Sequence, residues 1–105
     1  MEPVTANARA DELVLLDVRE PGEWEAGHVA GALHIPMGDL GARQAEIPTD
    51  TPIVCVCRSG QRSAMVTGAL VRAGYDAENL EGGLLAWVEA KLPLTTPAGA
   101  PGTVI

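Results

Sequence analysis

The sequence predicts a single α/β domain in which a mainly parallel central sheet is flanked by helices. Three observations support this fold class. Short apolar segments typical of strands alternate with short helical segments, which is the pattern of parallel sheets. Residues 13–18 and 52–57 are apolar runs of the kind found in strands buried on both faces. The length of 105 residues fits one domain.

The individual elements follow from local patterns. The predicted strands cover residues 13–18, 32–35, 52–57 and 76–80. The predicted helices cover residues 23–26, 37–46, 63–73 and 84–91. The second helix rests on Met37, Leu40 and Ile47, which have helical spacing, whereas Gly27 and Gly74 are expected to stop the helices that precede them. Residues 1–12 are only weakly patterned.

The two ends of the chain differ in composition. From Pro93 onward the sequence is rich in Pro, Gly and Thr, as in a tail or a linker. We therefore expect a folded domain over residues 1–94 and a C-terminal tail over residues 95–105.

Charge and hydropathy exclude several functions. A formal net charge of −7 makes nucleic acids and anionic membrane surfaces poor partners, and three aromatic residues are too few for a base-stacking platform. No apolar run approaches the roughly 20 residues of a membrane span, and the N-terminus does not resemble a signal peptide. A cytoplasmic location is expected.

The two cysteines, Cys55 and Cys57, lie two residues apart on one predicted strand. Their Cα atoms would be roughly 6.6 Å apart, close to the limit for a disulfide, so we expect no structural bridge. His28 and His34 do not complete a zinc-binding pattern with them. Cys55 lies mid-strand between two valines and is expected to pack in the core.

The segment that suggests chemistry follows the strongest strand signal of the chain. Cys57 ends that strand, a short polar loop follows, and a helix begins. The candidate substrate-binding residues of this loop are Arg58, Ser59, Gly60, Gln61, Arg62 and Ser63. The loop amides and the helix N-terminus can form an anion cradle beyond the carboxyl end of the sheet. Cys57 is therefore the candidate catalytic nucleophile.

Each type of residue in this loop has a physical reason to be there. Gly60 permits the backbone angles of a tight turn, and Ser63 is expected to be the N-cap of the helix. The amides, the helix dipole, Arg58 and Arg62 should all favour a Cys57 thiolate, which is the nucleophilic form.

These residues resemble the active-site loop of the rhodanese family, which has the form C-R-x-G-x-R-S. Two further motifs appear in the expected order. Residues 15–21, Glu23-Trp24 and residues 27–32 resemble the N-terminal signature of that family, and residues 81–83 with Ala86-Trp87 resemble its C-terminal signature. The resemblance covers the chain from about Leu13 to Leu94.

The resemblance implies a sulfurtransferase mechanism. The Cys57 thiolate attacks the outer sulfur of an anionic donor such as thiosulfate, and sulfite leaves. Cys57 then holds a persulfide, which passes to cyanide in the assay and to a thiol or a protein in the cell. Arg58 and Arg62 would bind the anionic donor. The resemblance implies no metal and no organic cofactor, and a persulfide is an equally acceptable donor.

Other residues of these motifs are interpreted as structural. Asp17 and Arg19 are expected to pair with each other or with nearby loops, and His28 to be a hydrogen-bonded structural histidine. Trp87 is expected in the core. Gly82 and Gly83 should permit a tight turn near the active-site loop.

One feature departs from the family pattern. Rhodanese-like chains usually begin with an extra strand and helix, but only about twelve residues precede the strand at 13–18 here. Those elements are expected to be shortened or absent, which affects the sheet edge and the walls of the site.

Two other functions stay open at this point. Tyrosine phosphatases and arsenate reductases share the strand, cysteine loop and helix, but in the phosphatases five residues separate the cysteine from the arginine. Here four residues separate Cys57 from Arg62, which suits a sulfur atom better than a tetrahedral phosphate. The other alternative is a protein-binding module, or a sulfur carrier that does not turn over and whose acceptor is a protein.

Overall fold

Four short parallel strands form one sheet in the order β2-β1-β3-β4 in the computed structural model, which describes residues 1–105. The strands are β1 (Val14–Asp17), β2 (Leu33–His34), β3 (Ile53–Val56) and β4 (Ala77–Asn79). The helices are α1 (Pro3–Ala8), α2 (Pro21–Ala26), α3 (Gln61–Arg72) and α4 (Gly83–Glu89). The predicted α/β class with a parallel sheet flanked by helices is confirmed. None of the helices has the length and hydropathy of a membrane span.

The central strand β3 pairs with β1 along one edge and with β4 along the other, and all four of its residues are buried. Its side chains alternate between two apolar clusters. Val54 and Val56 pack with Trp87 on the α4 side of the sheet, whereas Cys55 and Cys57 pack on the α3 side with Val66. The strand therefore ends with Cys57 on the face covered by α3.

Two helix predictions are corrected. Residues 37–46 form two 3-10 turns, Met37–Asp39 and Gln44–Glu46, in place of one helix. The three-residue spacing of Met37 and Leu40 fits a 3-10 turn as well as an α-helix, and Gly38 and Gly41 disfavour the longer helix.

Helix α3 begins at Gln61, two residues earlier than predicted. Its N-cap is Gly60, which has a φ of 102°, and not Ser63. Ser63 is the third residue of the helix, and its hydroxyl is directed at Cys57.

The chain before β1 contains the short helix α1 but no strand, so β2 and β4 are the two edges of the sheet. Helix α1 packs against α4 and buries Ala6 completely. Its proline at the start occupies a helix position that requires no amide donor, and this helps the helix form in a weakly patterned segment.

Residues 95–105 lie against the segment that follows α2. Thr95 exchanges two backbone hydrogen bonds with His28, at 2.9 and 2.8 Å, and the amide of Thr103 donates to the carbonyl of Ala26 at 2.9 Å. A Cβ atom on Gly27 would lie only 2.4 Å from the carbonyl oxygen of Thr103. Gly27 therefore permits this close packing of two backbones.

Candidate functional site

Cys57 directly follows β3 at the carboxyl edge of the sheet, where ligands of open α/β sheets bind. The residue is only 1% exposed. Several cavities lie elsewhere on the molecule, including one of about 480 Å³ between α3 and the 3-10 turns, and Cys57 lines none of them. The loop that surrounds the sulfur therefore shields it almost completely from solvent.

Three donors converge on the sulfur atom of Cys57. The Gly60 amide lies 3.1 Å from Sγ, the Ser63 amide 3.4 Å and the Ser63 hydroxyl oxygen 3.2 Å. The left-handed φ of Gly60 turns its amide inward, and Ser63 contributes from the first turn of α3, whose amides have no partner within the helix. The loop therefore forms an anion cradle whose bound atom is the thiolate itself.

The balance of burial and hydrogen bonding sets the charge state of Cys57. Burial disfavours the thiolate and acts to raise the pKa, but the Ser63 hydroxyl and the amides of Ser63, Gly60 and Ser59 together outweigh it. The pKa of Cys57 is therefore lowered. Since the thiolate is the nucleophile, Cys57 is reactive at a lower pH than an ordinary cysteine.

Cys55 has the opposite environment. It is fully buried in the apolar cluster beneath α3, and this burial raises the pKa of its thiol. Both thiols are free. Cys55 therefore remains protonated and packs in the core, as its place between two valines predicts.

The N-terminus of α4 supports the loop from the opposite side. The Leu84 amide donates to the Cys57 carbonyl at 2.9 Å, and the Leu85 amide donates to the Arg58 carbonyl at 3.0 Å. Gly83 permits this contact, because a Cβ there would lie 2.5 Å from the Arg58 carbonyl oxygen. These bonds hold the carbonyls of the loop away from the sulfur, while the amides of the loop face the sulfur.

The two arginines of the loop have different environments. Arg62 is half-buried, and its guanidinium forms a two-pronged ion pair with Glu23 on α2, at 2.7 and 2.9 Å. The hydrogen bond from Arg62 holds the pKa of the Glu23 carboxyl below its usual range, although partial burial opposes this. Arg58 is exposed, and its Nε donates to the carbonyl oxygen of Ile105 at 3.0 Å.

The remaining residues of the predicted loop are placed as follows. Ser59 and Gln61 are exposed on its rim, whereas Gly60 and Ser63 are buried around the sulfur. The side chains of Glu23 and Asn79, outside the loop, also contact it. Sequence reasoning did not assign them a role in the site. Glu23 belongs to the N-terminal motif, which could have identified it as a site residue, whereas Asn79 belongs to no motif.

The motif residues interpreted as structural have structural contacts. Arg19 and Asp17 form an ion pair with side chains 0% and 1% exposed. His28 stacks on Trp24 with ring centroids 3.7 Å apart, and its Nδ1 is 2.9 Å from the Trp24 carbonyl oxygen. Trp87 is buried in the core and donates to the Pro93 carbonyl.

A cysteine held by backbone amides at the end of the central strand of a parallel sheet defines a class of α/β domains that work through a nucleophilic thiolate. The rhodanese-like domain family model matches residues 2–90 of this chain. The protein therefore belongs to the rhodanese-like domain family, a family of sulfurtransferases and sulfur carriers.

Individual relatives agree with this assignment. The chain is 39% identical to a sulfurtransferase of Allochromatium vinosum over 93 residues, which covers 88% of this chain and 87% of that protein. It is 42% identical to the putative sulfurtransferase YtwF of Bacillus subtilis over 77 residues, covering 73% and 75% of the two chains. The crystal structure of a rhodanese-related protein from Thermoplasma volcanium superposes with a TM-score of 0.87 at 27% identity, covering 90% of this chain and 95% of that one.

Proposed function

We propose that the protein moves sulfane sulfur from an anionic donor such as thiosulfate, through a persulfide on Cys57, to a thiophilic acceptor. The observation that carries the proposal is the set of three donors around Sγ, which favours the thiolate in a buried position. Cyanide would accept the sulfur in vitro, and a thiol or a protein in the cell.

The proposed reaction has two steps. The Cys57 thiolate attacks the outer sulfur of thiosulfate, a new S–S bond forms, and sulfite leaves with the electrons of the broken S–S bond. The acceptor then attacks the outer sulfur of the persulfide and takes it, and the bond to Cys57 breaks to return the thiolate. With cyanide the product is thiocyanate. The loop amides stabilise the anionic sulfur in both forms of the enzyme.

The shape of the loop supports sulfur over phosphate as the transferred group. The four residues between Cys57 and Arg62 make a loop whose amides already contact the sulfur atom. Thiosulfate–cyanide turnover without hydrolysis of an aryl phosphate is the expected result, and aryl phosphate hydrolysis that depends on Cys57 would contradict the proposal.

A carrier role is the second candidate function. One relative, 37% identical over 65 residues, is the putative sulfur carrier protein YrkF of Bacillus subtilis, of which this chain spans 35%. A carrier would accept sulfur stoichiometrically but turn over slowly with thiosulfate and cyanide. Stoichiometric loading measured together with steady-state thiocyanate formation therefore separates the two functions, because an enzyme loads and turns over, whereas a carrier loads with little turnover.

Arg62 is expected to contribute more to binding of the anionic donor than Arg58. Glu23 holds the Arg62 guanidinium beside the loop, whereas Arg58 is exposed and directed at Ile105. A hydrogen bond between charged groups contributes roughly 1.5–3 kcal/mol, so Arg62→Gln should lower kcat/KM for thiosulfate about tenfold or more. Arg58→Gln is the matched control and should have the smaller effect, and the reverse order would contradict this assignment.

A further inference from the structure

Asn79, the last residue of β4, connects two parts of the Cys57 loop. It is the register partner of Cys55, so it lies on the α3 face of the sheet. Its Nδ2 donates to the Gly60 carbonyl at 2.9 Å, and its Oδ1 lies 2.5 Å from the Ser63 hydroxyl oxygen. Because a carbonyl oxygen only accepts hydrogen bonds, the amide nitrogen must face Gly60 and Oδ1 must face Ser63.

The Ser63 hydroxyl has one proton and two neighbouring acceptors. Its oxygen lies 2.5 Å from Asn79 Oδ1 and 3.2 Å from Cys57 Sγ. When Cys57 is a neutral thiol, the hydroxyl can donate to Asn79 and accept the S–H proton. When Cys57 is a thiolate, the only useful place for the hydroxyl proton is the sulfur, and Asn79 loses its donor. Asn79 and the sulfur therefore compete for this proton.

The Gly60 contact acts on the same sulfur by a second route. The Gly60 carbonyl accepts from the Ala64 amide at 3.1 Å as well as from Asn79. With both lone pairs occupied, the peptide group after Gly60 cannot rotate freely. These bonds anchor Gly60 at the start of α3, and its own amide, in the preceding peptide group, lies 3.1 Å from Sγ.

We propose that Asn79 is a positioning residue that sets the reactivity of Cys57, by competing for the Ser63 hydroxyl proton and by fixing Gly60. Asn79 does not touch the sulfur and acts through these two neighbours. The inference deepens the proposed function, since it concerns the same nucleophile, but it does not depend on which sulfur donor is used. The other titratable groups that interact with Cys57 are Arg62 on α3 and Cys55 on β3.

Asn79→Asp is the most informative substitution. A carboxylate of nearly the same shape accepts the Ser63 proton more strongly, cannot donate to Gly60, and adds a negative charge near the sulfur. All three effects disfavour the thiolate. We expect the rate of Cys57 alkylation by iodoacetamide at neutral pH to fall about tenfold, and the midpoint of its pH profile to move upward. Intact-protein mass counts the adducts, and Cys57→Ser identifies the one on Cys57; Cys55 should react little, because burial raises the pKa of its thiol.

Two control variants separate positioning from a general loss of structure. Glu78→Gln changes the charge of an exposed neighbour on β4 that does not contact the loop, and it should leave the pH profile unchanged. In a Ser63→Ala background the shared hydroxyl is gone, so Asn79→Asp should shift the profile less than it does in the wild type. Melting curves establish that each variant is folded at the temperature of the assay.

An unchanged profile in a folded Asn79→Asp variant would overturn the proposal. An equal shift in the wild-type and Ser63→Ala backgrounds would overturn the competition for the hydroxyl proton. Because alkylation requires no sulfur donor, these outcomes are distinct from a failure of the proposed function, which would appear as absence of persulfide on the wild-type protein.

Discussion

Replacement of Arg19 by alanine is expected to lower the free energy of unfolding by about 3–5 kcal/mol, the typical cost of removing one partner of a buried ion pair. The Arg19 side chain is 0% exposed, and its Nη2 lies 2.7 Å from the Asp17 carboxylate. The guanidinium also donates to the carbonyls of Gly27 and Glu23, at 2.8 and 3.2 Å. In the variant the buried Asp17 carboxylate keeps only the hydrogen bond from the backbone amide of residue 19, and the carbonyls of Gly27 and Glu23 lose their guanidinium donor.

Urea unfolding monitored by circular dichroism measures this effect. Arg43→Ala is the matched control, since Arg43 forms a similar ion pair with Glu46 at an exposed site, and its loss should change stability little. If Arg19→Ala does not fold, the double variant Asp17→Asn/Arg19→Met keeps the test decisive. It removes the unpaired charge and should be more stable than Arg19→Ala, and the opposite order would contradict this account.

Replacement of Gly83 by alanine is expected to damage both stability and the reactivity of Cys57. Gly83 has a φ of 62°, which disfavours any side chain, and a Cβ there would lie 2.5 Å from the Arg58 carbonyl oxygen and 2.7 Å from that of Cys57. Backbone strain of roughly 1–2 kcal/mol and an overpacking cost of roughly 1–3 kcal/mol give an expected loss of about 2–5 kcal/mol. To relieve the clash, α4 must move away from the loop.

That movement breaks the bonds from the Leu84 and Leu85 amides to the loop carbonyls. The loop amides then face the sulfur less well, so Cys57 alkylation at neutral pH should slow even where Gly83→Ala is still folded. Gly22→Ala, at a helical site where a Cβ meets nothing within 4 Å, is the control and should be neutral or slightly stabilising. Wild-type stability in Gly83→Ala would contradict the proposed support of the loop by α4.

The sequence predicted the parts of the site that depend on neighbouring residues. The strand that ends at Cys57 is short, β-branched and uncharged, and this pattern determined both its burial and the location of the thiol at the edge of the sheet. The inward-facing amide of Gly60 also follows from local chemistry, because glycine readily adopts a φ of 102°. The pairing of Asp17 with Arg19 could also be predicted, because the two residues are close in sequence.

The contacts that complete the site could not be read from the sequence because they join distant segments. Glu23 contacts Arg62 across 39 residues, and Asn79 contacts Ser63 across 16. Within its own segment of the sequence, each looks like an ordinary polar residue on a protein surface. Their function depends on which strands are neighbours in the sheet, and strand order is not encoded in any local pattern.

The wrong prediction of a helix over 37–46 has a related origin. A three-residue apolar period is shared by α-helices and 3-10 turns, so periodicity alone could not distinguish them. The prediction that Ser63 is the N-cap of the helix was also wrong, because it placed the start of the helix too late. The left-handed Gly60 begins the helix earlier and leaves the Ser63 hydroxyl free for the sulfur.

Intact-protein mass after incubation with thiosulfate tests the central claim most directly, with wild type, Cys57→Ser and Cys55→Ser compared side by side. We expect the wild type and Cys55→Ser to gain one sulfur atom that cyanide removes as thiocyanate, and Cys57→Ser to gain none. If Cys57→Ser still gains the sulfur while Cys55→Ser does not, the chemistry belongs to Cys55 and the site assignment is wrong. If the wild type gains no sulfur from thiosulfate or from a persulfide donor, the proposed sulfur transfer is contradicted.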